Sequence, residues 1–518
     1  MRYTLHHEER FVVSLYKAIS KYCTTANVVG LIGAIVALIC LLALPGSSYW
    51  NIRLPLYLLV AFWTILRPRT ALYLMPIAVP WDTIDPTSLG GLHAADILAL
   101  LLAASWLMSF ALSRYVGPEH AASGPLDRDA KLPPLYLVYA IAALLLAMLA
   151  STTVAASVSL SAKEIAKWIE VLIILLLGYQ YVRTRPQIWA LVVICLLAAL
   201  SQAVFGYLQS FFDLGPTSFV RDASLRVYGT FDQPNPYAGY INMALMIALS
   251  LCLLGRGMRT RLLAGIAAAL LLGVEYLSQS KGGWIAFAAA LLLIIIIGMP
   301  RARGLIGAGF LCVLAGIGAY LGGIIPQATL QPVLEKAGLL NISFTRPTND
   351  NFANSERLAH WLAGIHMFQD HPFLGVGIGN YSSAYSQYVP GIFANSLGHA
   401  HNYYINIAAE AGIFGLLTLL FFLAATFVAA GRTYRTIQQR WQHSIALPFP
   451  VTEPAASRQA MKLRMIANDR ALVIGVIAAL ASVCVHNLVD DLYVHSMTNL
   501  IALLLVMAIR IDTVSAVE

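Results

Sequence analysis

The residues best suited to chemistry are two histidines set two apart in Gly398-His399-Ala400-His401-Asn402-Tyr403-Tyr404, with Glu410 following. Histidine changes charge near neutral pH, and a neighbouring carboxylate or amide can fix its tautomer, so His401 or His399 could serve as a general base. Two imidazoles could also begin a metal site. No third ligand stands nearby at regular spacing, so no metal is expected. The alternative to chemistry is a helix-entry pair that only caps an apolar span and meets lipid headgroups.

Three further segments carry charge or polarity among apolar residues. Gln279-Ser280-Lys281-Gly282-Gly283-Trp284 joins two apolar runs with almost no loop. Lys281 there is an anion ligand or a snorkelling lysine, and the glycine-rich helix start offers backbone N–H groups to the same anion. Arg221 and Arg226 precede a dense polar run containing Gln233 and Asn235, which suits a polyanionic or sugar ligand, since arginine presents a planar fork to phosphate oxygens. An ordinary loop with solvated arginines is the alternative. Val485-His486-Asn487-Leu488-Val489-Asp490-Asp491-Leu492-Tyr493-Val494-His495 reads as a hydrophilic hairpin that could add polar groups to the same face. Gly375-x-Gly377-x-Gly379 follows no strand of a βαβ unit and is not a dinucleotide site.

These groups must be positioned by membrane helices. Of 518 residues, 59% are hydrophobic and 11% charged, where soluble folds carry about 25% charged residues. The pattern predicts an all-α polytopic membrane protein with about 14 spans (12–14), near 28–45, 52–66, 70–82, 95–113, 133–151, 164–182, 187–209, 238–254, 262–278, 284–299, 304–325, 403–430, 471–488 and 496–510. Most of the 33 Lys and Arg residues fall on alternate loops, from Arg2, Arg10, Lys17 and Lys21 through Arg128, Lys131 and the 431–470 loop to Arg510. That bias predicts both termini in the cytoplasm. The formal charge of +8 therefore reflects orientation and implies no nucleic acid. The first 27 residues read as a cytoplasmic segment ahead of a start-transfer anchor. The six cysteines (Cys23, Cys40, Cys195, Cys252, Cys312, Cys484) are isolated and support neither disulfides nor zinc.

The expected organisation is a bundle over 28–325 with an outer loop near 210–237, a long outer loop over 326–402, C-terminal helices over 403–510 with an inner loop at 431–470, and a tail at 511–518. A loop of that length in a compact membrane protein is usually functional. Within it, Asn354-Ser355-Glu356-Arg357 reads as the cap of a short helix, too polar to span, that lies on the membrane surface or packs on the bundle.

The order Glu356-Arg357-x3-Trp361-x2-Gly364-x3-Phe368-x3-Pro372-x2-Gly375-x-Gly377-x-Gly379-x-Tyr381, then His399-x-His401-Asn402 and Glu410-x-Gly412-x2-Gly415, resembles the signature of the O-antigen ligase / O-antigen polymerase (Wzy-type) superfamily. Tyr228-Gly-Thr230-Phe-x-x-Pro234-Asn235 and Ser280-Lys281-Gly282-x-Trp284 resemble it too. The resemblance covers roughly residues 130–430. It implies a membrane glycosyltransferase of the GT-C type that moves a glycan from undecaprenyl diphosphate on the periplasmic face of the inner membrane, without cofactor or essential metal. His401 then matches the general base and His399 an assisting residue. Arg221 or Arg226 would hold the diphosphate, with Lys281, Gln233, Asn235, Asn402 and Glu410 as further substrate-binding positions. The family commonly has Ser-Arg-Gly where this chain has Ser280-Lys281-Gly282, and lysine keeps the charge but loses the fork.

The resemblance implies a ligase, with a lipid A core sugar as acceptor, or a repeat-unit polymerase acting on a second carrier-linked glycan. A transporter or flippase is the remaining alternative. It would require ionisable groups deep in the spans, where Glu170 and Glu275 are the main candidates.

Overall fold

A computed structural model describes Gly33, residues 35–37, and residues 50–81, 93–116, 132–221, 224–336, 338–348, 351–448 and 453–515. The expected N-terminal segment 1–27 and most of the expected span 28–45 lie outside the described residues, as do Arg128 and Lys131.

The chain is an all-α polytopic membrane protein. Its helices are α1 (Trp50–Leu66), α2 (Arg69–Trp81), α3 (Ala94–Val116), α4 (Leu135–Ser151), α5 (Val158–Tyr181), α6 (Arg185–Phe212), α7 (Pro234–Leu254), α8 (Met258–Leu277), α9 (Lys281–Gly298), α10 (Arg303–Leu321), α11 (Gln327–Lys336), α12 (Phe352–Asp370), α13 (Tyr381–Tyr385), α14 (Tyr403–Ala446), α15 (Glu453–His486) and α16 (Met497–Ser515). A two-residue antiparallel pair, β1 (Val220–Arg221) with β2 (Ser224–Leu225), lies before α7. Each expected span from 52–66 onward coincides with a helix. Nine helices among the described residues are long and apolar enough to cross a membrane. The count of 14 is not reached on that measure, for identifiable reasons. α2 has 13 residues with Pro76 and Pro80 inside. α5 carries Lys163, Glu164, Lys167 and Glu170, and α16 carries Arg510 and Asp512.

Those charged helices are covered by protein. α15 and α7 pack along much of their length at the centre of the bundle, and Ser250 Oγ of α7 donates to the Ala471 carbonyl of α15 at 2.6 Å. A side chain that bonds a neighbouring helix's backbone holds two helices together where lipid offers no partner. Glu170 accepts from Asn499 Nδ2 of α16 at 2.8 Å, and Glu275 from Asn242 Nδ2 of α7 at 3.2 Å. Each carboxyl group thus meets an amide within the bundle and lines no file of charges. Glu170 sits mid-helix in α5, deeper than the expected span placed it.

Two sequence expectations need correction. The inner loop expected at 431–470 is largely helix, because α14 continues to Ala446 and α15 starts at Glu453. Helix-forming Arg, Gln, Ala and Met dominate that stretch, so it extends both spans beyond their apolar parts. The cap expected at Asn354 lies one turn earlier, since α12 starts at Phe352 behind Asn351. The Asn351 side chain makes no cap bond. Its Nδ2 donates to the Leu340 and Asn341 carbonyls and its Oδ1 accepts from Thr348 N, which closes the preceding loop instead.

α14 is broken at Gly412 (φ 64°, ψ −161°), and the turn following α12 repairs the break. Val376 N donates to the Ala409 carbonyl at 2.9 Å, Gly377 N to the Glu410 carbonyl at 3.0 Å, and Ile413 N to the Pro372 carbonyl at 2.8 Å. Freed helix groups in a membrane protein must find such partners. Gly377, at φ 102°, lies so close to Ala155 that a Cβ would overlap it. The glycine triplet is therefore a backbone clamp between α12, α14 and the start of α5. It fixes where α14 begins, and so where His401 stands.

Candidate active site

Four segments distant in sequence meet around His401: the 399–402 turn before α14, the hairpin between α15 and α16, the loop before α7 with the α8–α9 turn, and the face of α12.

The turn holds its histidines by backbone bonds. His401 adopts φ 51°, a left-handed conformation uncommon outside glycine. Its carbonyl accepts from Trp361 Nε1 of α12 at 3.0 Å, and its N–H donates to His399 Nδ1 at 3.0 Å. Asn406 Oδ1 accepts from Ala400 N at 3.0 Å. Asn402 caps α14 by accepting from Tyr404 N and Ile405 N, and its Nδ2 donates to the Leu488 carbonyl of the hairpin at 2.8 Å. Both ends of that amide are engaged inside the protein. Asn402 thus ties the His401 turn to the hairpin.

The hairpin supplies Asp490, which is 5% exposed. Its Oδ1 lies 3.5 Å from His401 Nδ1 and 4.0 Å from His399 Nε2. Burial raises the Asp490 pKa, but the neighbouring His401, with His399 and His486, wins and holds it well below the usual carboxylate range. Asp490 Oδ2 accepts from Asn235 Nδ2 at 2.7 Å. Asn235 Oδ1 in turn accepts from Arg226 Nη2 at 3.2 Å and from Ser280 Oγ at 2.9 Å. A continuous hydrogen-bond chain therefore runs from Arg226 through Asn235 to Asp490 beside the histidines.

The cations gather beyond Asn235. Arg226 also donates from Nε to the Ser278 carbonyl at 3.1 Å. Its pKa is pushed down to about 10, first by burial and then by Arg221 and Arg357, against the pull of Asp490. Lys281, at the start of α9, likewise has Arg221 and Arg357 as its charged neighbours. Four basic groups from β1, the loop before α7, α9 and α12 thus face one another, which is costly unless an anion is held among them.

Of the residues expected from sequence, His399, His401, Arg221, Arg226, Lys281 and Asn235 come together. Gln233 precedes α7 with an exposed side chain that makes no cap bond. Glu410 is buried beneath the glycine clamp, where Oε1 accepts from Tyr381 N at 2.8 Å. It is held away from the cation cluster.

Three residues escaped the sequence reading as site residues. Asp490 stood in a segment read as a hydrophilic hairpin. Arg357 was visible only within the resemblance signature. His360 of α12 is fully buried, stacks on Tyr385 at 4.9 Å between centroids and meets the His401 ring edge-on at 5.4 Å. Burial, then His401 and His399, push its pKa down to about 4.

Asp490 also supplies the third ligand that the local sequence lacked. Ligand atoms of His399, His401 and Asp490 lie within 4.8 Å of one another. The polarity around them does not suit a metal. The His401 amide makes His399 Nδ1 an acceptor, so the neutral ring carries its proton on Nε2, toward Asp490. A metal-bound histidine instead presents a bare nitrogen to the ion and donates from the other. The set reads as a carboxylate steering two imidazoles.

Residues 266–420 match the family model described as O-Antigen ligase. Over that segment, 155 of the chain's 518 residues, the match supports the O-antigen ligase / O-antigen polymerase superfamily. The matched segment runs from α8 through Lys281, the long loop and the histidine turn into α14. The superfamily's activity is that of a ligase or polymerase of glycans. Asp490, Arg226 and Asn235 lie outside the matched residues and are brought to them by packing. Comparison with curated proteins returned no match.

Proposed function

We propose that this chain is an O-antigen ligase-like glycosyltransferase that moves a glycan from undecaprenyl diphosphate to an acceptor hydroxyl on a lipid A core sugar. The observation that carries the reading is the Asp490–His401 pair joined through Asn235 to the cluster of Arg221, Arg226, Lys281 and Arg357. Asp490 facing Nδ1 keeps the proton on that nitrogen and leaves the Nε2 lone pair as the base, the same division of labour found in carboxylate–histidine catalysis elsewhere. The acceptor oxygen attacks the anomeric carbon and its proton passes to His401. The bond from that carbon to the diphosphate oxygen breaks, and the leaving diphosphate keeps the electron pair. The four cations stabilise its charge, and arginine forks bind phosphate oxygens in pairs. Attack opposite the leaving group inverts the anomeric centre. No metal or cofactor enters this scheme.

In this reading both termini are cytoplasmic and the site is periplasmic. The supporting observation is that Arg183, Arg185, Arg256, Arg259, Arg301 and Arg303 lie at helix ends opposite to His401 and Asp490.

His401→Ala protein should still bind the carrier-linked donor while losing transfer, and wild-type transfer by that variant would remove the base assignment. A repeat-unit polymerase is the second reading, because the same site would serve a carrier-linked acceptor. Surface glycan from a deletion strain separates them on one gel: long carrier-linked chains accumulate when a ligase is lost, and single repeats when a polymerase is lost.

A further inference from the structure

Charge is divided across the two histidines. On one side stand the four cations and Asn235. On the other, the charged neighbours of His399 include Asp491 and Lys167. Lys167 Nζ lies 2.7 Å from Glu164 Oε2 and donates to the Tyr493 carbonyl at 2.7 Å. Asp491 Oδ1 accepts from Tyr493 N at 2.8 Å, which turns the hairpin toward α5. Tyr403 packs edge-on against Tyr493 at 4.5 Å. Its hydroxyl is buried with no hydrogen-bond partner in the protein, although the residue is only 2% exposed. Glu164, Asp491 and Glu410 are the acidic groups around it. A buried hydroxyl left unpaired beside carboxylates is an expensive arrangement for a purely structural residue.

The donor's diphosphate cannot share this side, because Glu164 and Asp491 would face it against the one ammonium of Lys167. It does suit sugar hydroxyls, which both donate and accept. Glu164 and Asp491 accept, and Lys167 and the Tyr403 hydroxyl donate. Glu164 and Lys167 side chains are 18% and 22% exposed, so a ligand can reach them. We infer that Glu164, Lys167, Tyr403 and Asp491 form the acceptor subsite, which takes the uncharged, hydroxyl-rich end of a saccharide and aligns one hydroxyl with the histidine pair. The inference rests on the transferase reading and adds where the acceptor sits and which charge it carries. A phosphorylated acceptor end is disfavoured there, and the leaving group and the nucleophile approach from opposite sides of His399 and His401.

The test uses full-length protein in nanodiscs, carrier-linked donor from the host membrane, and total glycolipid from a deletion strain as the acceptor probe. Asp491→Asn keeps the oxygen that receives Tyr493 N, and Glu164→Gln keeps shape. Each should raise the glycolipid concentration for half-maximal transfer about tenfold, the loss of one hydrogen bond to a charged group. Inhibition by inorganic pyrophosphate, which reads the cation side, should stay within twofold. Unchanged acceptor dependence, or an equal weakening of pyrophosphate inhibition, overturns the inference. Binding is read apart from turnover by native mass spectrometry of the His401→Ala protein. Glycolipid should remain bound to that variant and be lost from His401→Ala/Asp491→Asn. Equal retention by both overturns the subsite even where transfer itself behaves as proposed. Wild-type protein that binds glycolipid through Asp491 yet makes no transfer product would instead count against the transferase reading alone.

Discussion

Asp490 Oδ1 stands 3.5 Å from His401 Nδ1, across the gap between the last hairpin and the turn that opens α14. The distance is long for a hydrogen bond, as is common before substrate closes a site. Asp490→Asn keeps the side-chain shape, but its single oxygen accepts from only one of Asn235 Nδ2 and the Asp491 amide, so Tm is measured beside the rate. It reverses the preference for a proton on Nδ1, so kcat should fall about 10²-fold or more, by comparison with other carboxylate–histidine pairs. Transfer assays with purified protein check this, and activity within threefold of wild type would remove Asp490 from the mechanism.

Trp361 acts through the backbone. Its Nε1 bond to the His401 carbonyl supports a residue at φ 51°. Trp361→Phe removes that bond and keeps most of the packing, at a stability cost of about 1 kcal/mol. The rate should fall by more than that loss of stability explains, because the imidazole is no longer aimed. Tm and kcat measured on the same preparation separate the two effects.

Arg357 and Lys281 should differ in weight. Arg357→Gln removes a planar fork from the cation cluster and is expected to raise the pyrophosphate inhibition constant about tenfold or more. Lys281→Met removes a point charge and should cost less. Lys281→Arg should be tolerated, because the replacement keeps the charge and adds a fork. A reversed order of the first two variants would place the diphosphate nearer α9 than α12.

His360 makes the fold acid-sensitive. Its folded pKa of about 4 lies below the unfolded value of about 6.5, so the unfolded chain binds the proton more readily. Its stabilising contribution is complete above pH ~6.5 and is lost as pH falls toward 4. His399, also shifted down by burial, acts in the same direction. His360→Phe keeps the stack on Tyr385 and should flatten the fall in Tm between pH 7 and 4.5. An unchanged slope would show that other groups carry the acid limb.

Gly377→Ala should be among the most damaging single substitutions. It adds a Cβ against Ala155 at φ 102°, and left-handed backbone alone costs roughly 1–2 kcal/mol for an L-residue. Loss of the clamp should lower both thermal stability and transfer. Wild-type Tm and rate would show that the turn can shift freely.

Much of this molecule was legible from residue order. Apolar runs of bilayer length must become helices, since water cannot satisfy their backbones inside lipid. Each expected span from 52–66 onward is accordingly helical, while the earlier one falls mostly outside the described residues. The histidine pair, the arginines and Lys281 were visible because charge is rare in so apolar a chain. α14 and α15 run beyond the spans that hydropathy predicts, because hydropathy marks where a helix leaves the lipid and says nothing of where it stops.

What residue order could not decide was who meets whom. Residue order suggests Asn235 as a substrate ligand and does not reveal that its amide links Arg226 and Ser280 to Asp490. Asn402 similarly spends both ends on the cap and Leu488. Asp490 looked like one of two acids in a polar hairpin. Its role arises only because α15 and α16 carry that hairpin over the turn before α14, where burial makes a lone carboxylate expensive and a histidine its natural partner. A linear pattern records side-chain types and local spacing. Pairing between distant segments depends on helix packing and on where a polar group can be satisfied, and the tertiary structure alone decided that.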